Sequence, residues 1–261
     1  MKSKIIKTEI YRVIASPLFW ISFIIIIVFC YMSCYEEIRY IDTNDVEYIF
    51  DLMLGLGSFK NMIIFAASIP YMASFCSDWN NKFIQSVAIR SGVSSYAKSK
   101  LIVNIITTFL LVFLSLISFV LLLNLKMPLT YQDINSGVII SKPYGYILMG
   151  NSPIIYFIIR SFLISISAVF WCTVGLYISS YIPNNFVAIS TPFISFYLLG
   201  EIGEFLPHFF NFRMLAYGFD VINKGALITI IYTLVFFTVL TLIVGMLFIR
   251  NVKRRVGNEL I

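Results

Sequence analysis

Six stretches of this 261-residue chain are each apolar enough to cross a lipid bilayer as a helix, and that repetition limits the fold more than any other feature. A helix rising 1.5 Å per residue needs about 20 apolar residues to cross about 30 Å of hydrocarbon. The runs cover residues 18–35, 56–75, 101–123, 154–182, 186–199 and 226–249. Lys60 and Asn61 fall near the start of the second, and the fifth is short and carries Pro192, which is expected to bend it. The two-residue alternation of a membrane barrel is absent. Composition agrees: 59% of residues are apolar and 12% charged, against about 45–50% and about 25% in soluble domains. Lipid is therefore the main solvent, and the expected fold is an all-α membrane protein with six transmembrane helices in a single domain over residues 1–261.

Lysine and arginine set the expected orientation, because cytoplasmic loops collect them. With the N-terminus inside, the inner segments hold twelve of the nineteen basic residues and three of the thirteen acids. Both termini are then cytoplasmic, in a multi-pass protein of the cell membrane. The first run follows Lys2, Lys4, Lys7 and Arg12, and "CYMSCYEEI" behind it lacks a small-residue cleavage site, so it is expected to stay as a membrane helix. The basic residues are scattered along membrane edges, which gives no case for nucleic acid as a partner.

The segments between the runs carry the finer expectations. In "SKIIKTEIYRVIASP", Ile6, Ile10, Val13 and Ile14 form one helical stripe, with Lys4, Lys7 and Thr8 opposite. Residues 1–16 therefore read as an amphipathic helix lying in the inner interface and ending near Ser16-Pro17. The loop "EEIRYIDTNDVEYIFD" has six acids and one arginine and reads as a solvated outer loop. The stretch "CSDWNNKFIQSVAIRSGVSSYAKSKLI" is the one compact polar and basic insertion, and residues 77–100 are expected to form helix, sharp turn, helix. Trp79, Phe83 and Val87 recur every four residues, Arg90 sits on the rim, and Gly92 suits a left-handed helix stop with Ser94 or Ser95 as the next cap. This shape suits docking into a groove of a soluble protein, or simple anchoring of the third run.

"YIPNN" makes a tight inner turn between the fourth and fifth runs. Residues 201–225 are too polar to cross and too apolar to be free, which fits short re-entrant or interfacial helices on the outer side. Glu201, Glu204, His208 and Arg213 there can contact a substrate or form local salt bridges. Arg160 lies about 9 Å into the fourth run by helix rise. That is within snorkelling reach of the outer surface, the alternative being a substrate-facing or interhelical role.

Several function classes find no residues to carry them. Cys30, Cys34, Cys76 and Cys172 lie in or beside apolar runs and read as small apolar fillers. His208 is the single histidine, so neither a zinc site nor a triad can be assembled around histidines. "GYILMGNS" has phosphate-loop glycine spacing, but Asn151 and Ser152 stand where the lysine and its neighbour belong. No cofactor or metal site is expected in this chain, and the chain is not expected to be an enzyme. Secondary transport usually shows repeated halves and buried coupling charges, and Arg160 is the only candidate charge near a membrane interior.

The whole order of features resembles the ABC-2 type permeases, the membrane subunits of ATP-binding-cassette exporters. The likeness rests on layout: an amphipathic start, six runs, the helix-turn before the third, and residues 201–225 before the last. "DWNNKFIQSVAIRSGVSSYAKSKLI" is its most motif-like part, with the usual Glu/Arg-rich start reduced to Asp78 and Lys82. The resemblance implies a permease that pairs with a second permease chain and docks a separate ABC ATPase through Trp79, Phe83, Val87 and Arg90. ATP and Mg would be held by that ATPase. Cargo would pass between the two permeases along the first, second and fifth spans, with Arg160, Glu201 and Glu204 as possible path residues. An amphipathic peptide is the expected cargo, such as a bacteriocin or toxin, or one against which the exporter gives immunity. Drugs or lipids, or an ion-coupled secondary mechanism, are the alternatives.

Overall fold

The computed structural model describes residues 2–39, 44–57, 59–84, 86–87, 92–130, 144, 153–217 and 225–259. Arg90 and the glycine pair of "GYILMGNS" lie outside the described residues. All regular structure among the described residues is helical.

α1 (Lys2–Ile14) and α2 (Pro17–Ser33) meet at a 57° bend. Pro17 cannot donate a backbone hydrogen bond, so the first helix cannot run on. Ser16 is extended and accepts from Phe19 N at 3.4 Å, starting the second helix. The stripe expected for α1 is its inward face: Val13 is buried, Ile6, Ile10 and Ile14 are half-buried, and Lys7 and Thr8 are exposed.

The acidic segment over residues 36–51, expected as a solvated outer loop, is not solvated throughout: Glu36 is exposed, but the second half is ordered and largely buried. It folds as α3 (Val46–Gly55), capped by Asp45, whose carboxylate accepts from Tyr48 N at 2.8 Å. Val46 and Glu47 donate their amides to the carbonyls of Pro128 and Leu129, which ties the helix to the chain beyond the third run. Six of its ten residues are buried, Glu47 among them.

The second run is broken rather than continuous. It comprises α4 (Met62–Ser68) and α5 (Ala73–Asn80), separated by turns. Pro70 lies in the break, where it removes a donor and crowds the preceding turn. Lys60 is drawn out of the run because the end of α3 needs donors: its ammonium reaches the carbonyls of Leu54, at 2.9 Å, and Gly55.

The remaining runs are long helices: α6 (Val93–Asn124), α7 (Pro153–Ser179), α8 (Asn185–Glu204) and α10 (Ala226–Glu259). α9 (Phe212–Ala216) and a 3₁₀ turn over His208–Phe210 lie between the last two. These four long helices can cross a membrane by length and composition, and the bent α1–α2 pair makes a fifth. α8 runs through Pro192 and past residue 199, so Glu201 and Glu204 sit in its last turn rather than in a following segment. α6 and α10 extend past the expected runs at the basic end, by about five turns together.

α7 is the centre of the bundle and packs against α6, α8 and α10. Its apolar window is 67% buried, against 22% for α10 and 28% for α8, so those two face outward. Trp171 is fully buried and meets the rings of Phe170, Phe196 and Phe212. Gly175 lets α8 approach closely: a Cβ there would stand 2.6 Å from Pro192 Cγ. The four cysteines are buried free thiols.

Candidate functional site

The polar insertion opens on a joint that the sequence did not reveal as a unit. Lys100 lies two turns into α6 and is only 4% exposed. Its ammonium pairs with Asp78 Oδ2 at 2.8 Å and with Glu9 Oε1 at 3.5 Å. Asp78 comes from the last turn of α5 and Glu9 from the middle of α1, so one cation joins three helices. Tyr96 donates its hydroxyl to Asp78 at 2.7 Å, and Tyr71 donates to Glu9 at 3.0 Å. Both rings also flank the ammonium, 5.4 Å and 5.7 Å from it to their centroids. A lysine this deep is tolerated because it is paired and bonded on several sides.

Beyond the joint, the expected docking residues part company. α5 stops at Asn80, and Lys82 turns the chain with φ 56°. Trp79 faces inward against Phe75 and lies under the Arg255 guanidinium, 4.2 Å away. Val87 is half-buried, and Phe83 is 52% exposed. The four-residue repeat therefore does not present one aromatic face: Trp79 anchors the segment, and among the described residues Phe83 is the large apolar group it displays. Asn80 donates to the carbonyl of Pro183 at 3.1 Å, which stitches the segment to the inner turn. Gly92 takes the positive φ expected, 78°, but as the start of α6, with its carbonyl accepting from Ser95 and Tyr96; neither serine caps.

At the opposite end, Arg160 does not snorkel. It is 1% exposed, with Nη2 3.5 Å from Asp51 Oδ1 and Nη1 donating to Tyr156 Oη at 3.2 Å. Tyr156 in turn donates to Asp51 at 2.6 Å. The rings of Tyr144 and Tyr156 flank the guanidinium, and Glu47 is buried one turn before Asp51 on α3. The interhelical alternative is the one realised: Arg160 ties α3 to α7.

Glu201 and Glu204 both hold Arg213, at 2.6 Å and 2.8 Å, in a partly exposed bridge between α8 and α9. Burial lowers the proton affinity of the Arg213 guanidinium, but the Glu201 hydrogen bond and the two carboxylate charges raise it above its ordinary value. Nearby, Tyr217 donates to Asn61 Oδ1 at 2.5 Å and lies under Lys60. The possible path residues thus fall in two separate knots, one buried and one open. No group of three metal-ligating side chains occurs among the described residues.

In the sequence, Glu9 and Lys100 count only among the charges that set orientation, and Asp78 only there and in the start of the motif-like stretch. Their one local signal was Tyr96 and Lys100, a turn apart at the edge of an apolar run. No protein family, curated protein or solved structure matches the chain.

Proposed function

We propose that this chain is the membrane permease of an ATP-driven exporter of the ABC-2 type, working with a separate ABC ATPase and a second permease chain. In this reading α4 and α5 together form a broken second span, which brings the count to six, and α1 lies in the inner interface. Both termini face the cytoplasm, and the 3₁₀ turn over His208–Phe210 with α9 belongs to an outer re-entrant segment that follows α8. The ATPase holds ATP and Mg and carries the hydrolysis.

The joint at Lys100 is the observation that carries the reading. A segment that only anchored α6 would need no buried cation shared among α1, α5 and α6. A segment that must pass a push from a soluble motor into the bundle needs such a rigid connection. Phe83 is the exposed apolar group at its tip, and the Trp79–Arg255 contact braces its back. When the ATPases close, the tip moves and the joint makes α1 and α6 move with it. α4 packs against both α2 and α8, the three elements expected beside the path, and α2 and α8 leave Ile24, Val28, Tyr197 and Leu198 exposed for a second copy. An amphipathic peptide remains the cargo that suits such walls.

Co-expression of the chain with an ABC ATPase drawn from its gene neighbourhood tests the reading. A stable complex is expected, and Phe83→Ala together with Arg90→Gln is expected to reduce co-purification several-fold while helix content stays constant. Undiminished co-purification removes the docking assignment.

The Arg160 knot favours a second reading. Glu47, fully buried beside Asp51 and Arg160, supplies carboxylates of the kind that ion-coupled carriers use. That reading requires uptake or efflux in liposomes driven by a pH gradient with no ATPase present.

A further inference from the structure

The basic end of α7 and α10 holds a cavity that the export reading leaves unused. α7 stops at Ser179, and the carbonyls of a helix end need donors from elsewhere. α10 supplies them: Arg255 Nη1 donates to the carbonyls of Ser180 and Tyr181, both at 2.9 Å, and the Asn251 amide donates to Ser180 Oγ at 2.7 Å. With the Arg255 head fixed in this way, it walls a cavity of about 310 Å³ together with Tyr181, Arg254 and Asn258. Arg254 is exposed, and among the described residues it pairs with no carboxylate.

The depth of the cavity points to its occupant. Met246 and Leu247 on α10 are still exposed apolar side chains, 63% and 41% accessible. Charge begins at Arg250, about 4.5 Å further along the axis, and Lys253, Arg254 and Arg255 follow before the next acid, Glu259. Tyr177 and Tyr181 stand at the same level with their hydroxyls 2.8 Å apart, as aromatic residues do at a membrane surface. Tyr181 and Ile182 give the cavity an exposed apolar shoulder. A soluble acidic segment would meet the charge but not the shoulder, whereas a phospholipid meets both.

We propose that this cavity binds the phosphate of an anionic phospholipid, with Arg254 and Asn258 closing on the headgroup beside the fixed Arg255. The lipid then occupies the corner where α10 crosses the end of α7, next to the Trp79 brace of the docking segment. A juxtamembrane cluster of this size attracts anionic lipid by charge alone, and the walled cavity adds a specific seat.

The test uses the full chain in nanodiscs of phosphatidylcholine with a rising fraction of phosphatidylglycerol, with lipid retained on release counted by native mass spectrometry. Preferential retention of phosphatidylglycerol is expected, with Arg254→Gln lowering its apparent affinity about fivefold, the loss of one surface cation. Arg254 is exposed, so that variant folds; Asn258→Ala gives an independent second reading of the same site. Equal retention by wild type and both variants overturns the proposal. Competition by millimolar inorganic phosphate or glycerol phosphate as effective as added lipid assigns the cavity to a free anion and overturns the lipid. Loss of retained lipid on adding the ATPase subunit without ATP marks a protein contact and overturns it as well.

Discussion

The two ends of the molecule solve one problem with nearly the same parts. At the basic end, Lys100 is held by Glu9 and Asp78 and flanked by Tyr71 and Tyr96. At the other end, Arg160 is held by Asp51, with Glu47 one turn away, and flanked by Tyr144 and Tyr156. Each is a buried cation between carboxylates and phenols. The difference lies in what they join. Arg160 fixes one short helix, α3, onto the central helix α7. Lys100 joins three helices that are separated along the chain by Pro17, Pro70 and Gly92, each a place where the rod is interrupted. The guanidinium fork engages Tyr156 and Asp51 through two nitrogens, which fixes direction. The ammonium is a point charge held by carboxylates from two other helices. One knot thus fixes a single short helix, and the other ties three helices together.

The comparison breaks most sharply at Arg160. Arg160→Ala strands Asp51 and the buried Glu47, and removing one partner of a buried pair costs about 3–5 kcal/mol. Thermal unfolding in detergent, followed by Trp fluorescence, is expected to show the largest loss of any single change considered. Arg160→Lys is expected to recover only part of it, because an ammonium cannot copy the fork.

Lys100→Met comes second, at about 2–3 kcal/mol: Glu9 and Asp78 keep 22% and 21% of their side-chain surface, much as Asp51 keeps 20%, but this knot has no fully buried carboxylate like Glu47. Its signature is local: limited proteolysis is expected to cut between α1 and α2 faster in this variant, and at the wild-type rate in Arg160→Ala.

Glu204→Gln is the smallest. Its carboxylate is 54% exposed and Glu201 still holds Arg213, so a change within about 0.5 kcal/mol in the same melting experiment is expected. A loss as large as that of Lys100→Met would show that exposure does not separate the three knots.

How far the sequence reached follows from the range of the forces involved. The inward stripe of α1 was legible because helical periodicity is local, and Gly92 was legible because few residues tolerate its φ. The runs behind α6, α7 and α10 were legible from hydropathy alone. The break in the second run was marked by Pro70, yet the mostly apolar character of residues 62–75 hid it. α3 was missed because six acids read as solvent-loving, whereas Asp45 caps, Glu47 is buried and Asp51 is paired. The partners of Arg160 and Lys100 lie as far as 109 and 91 positions away in sequence, and no local pattern announces a contact of that kind. The four-residue spacing of Trp79, Phe83 and Val87 suggests one shared face, but the chain turns at Lys82 and Trp79 packs under Arg255 of the last helix, a contact that only the fold could reveal.

The tie that Lys100 makes between α1 and α6 is tested most directly by a distance. Spin labels at positions 7 and 98, both exposed, report on α1 against the base of α6, with the four native cysteines buried away from the label. Double electron–electron resonance is expected to give one narrow distribution in the otherwise unaltered chain and in Arg160→Ala, and a broad one in Lys100→Met. A distribution as narrow in Lys100→Met as in its parent would contradict the account, because α1 and α6 would then move together without the lysine.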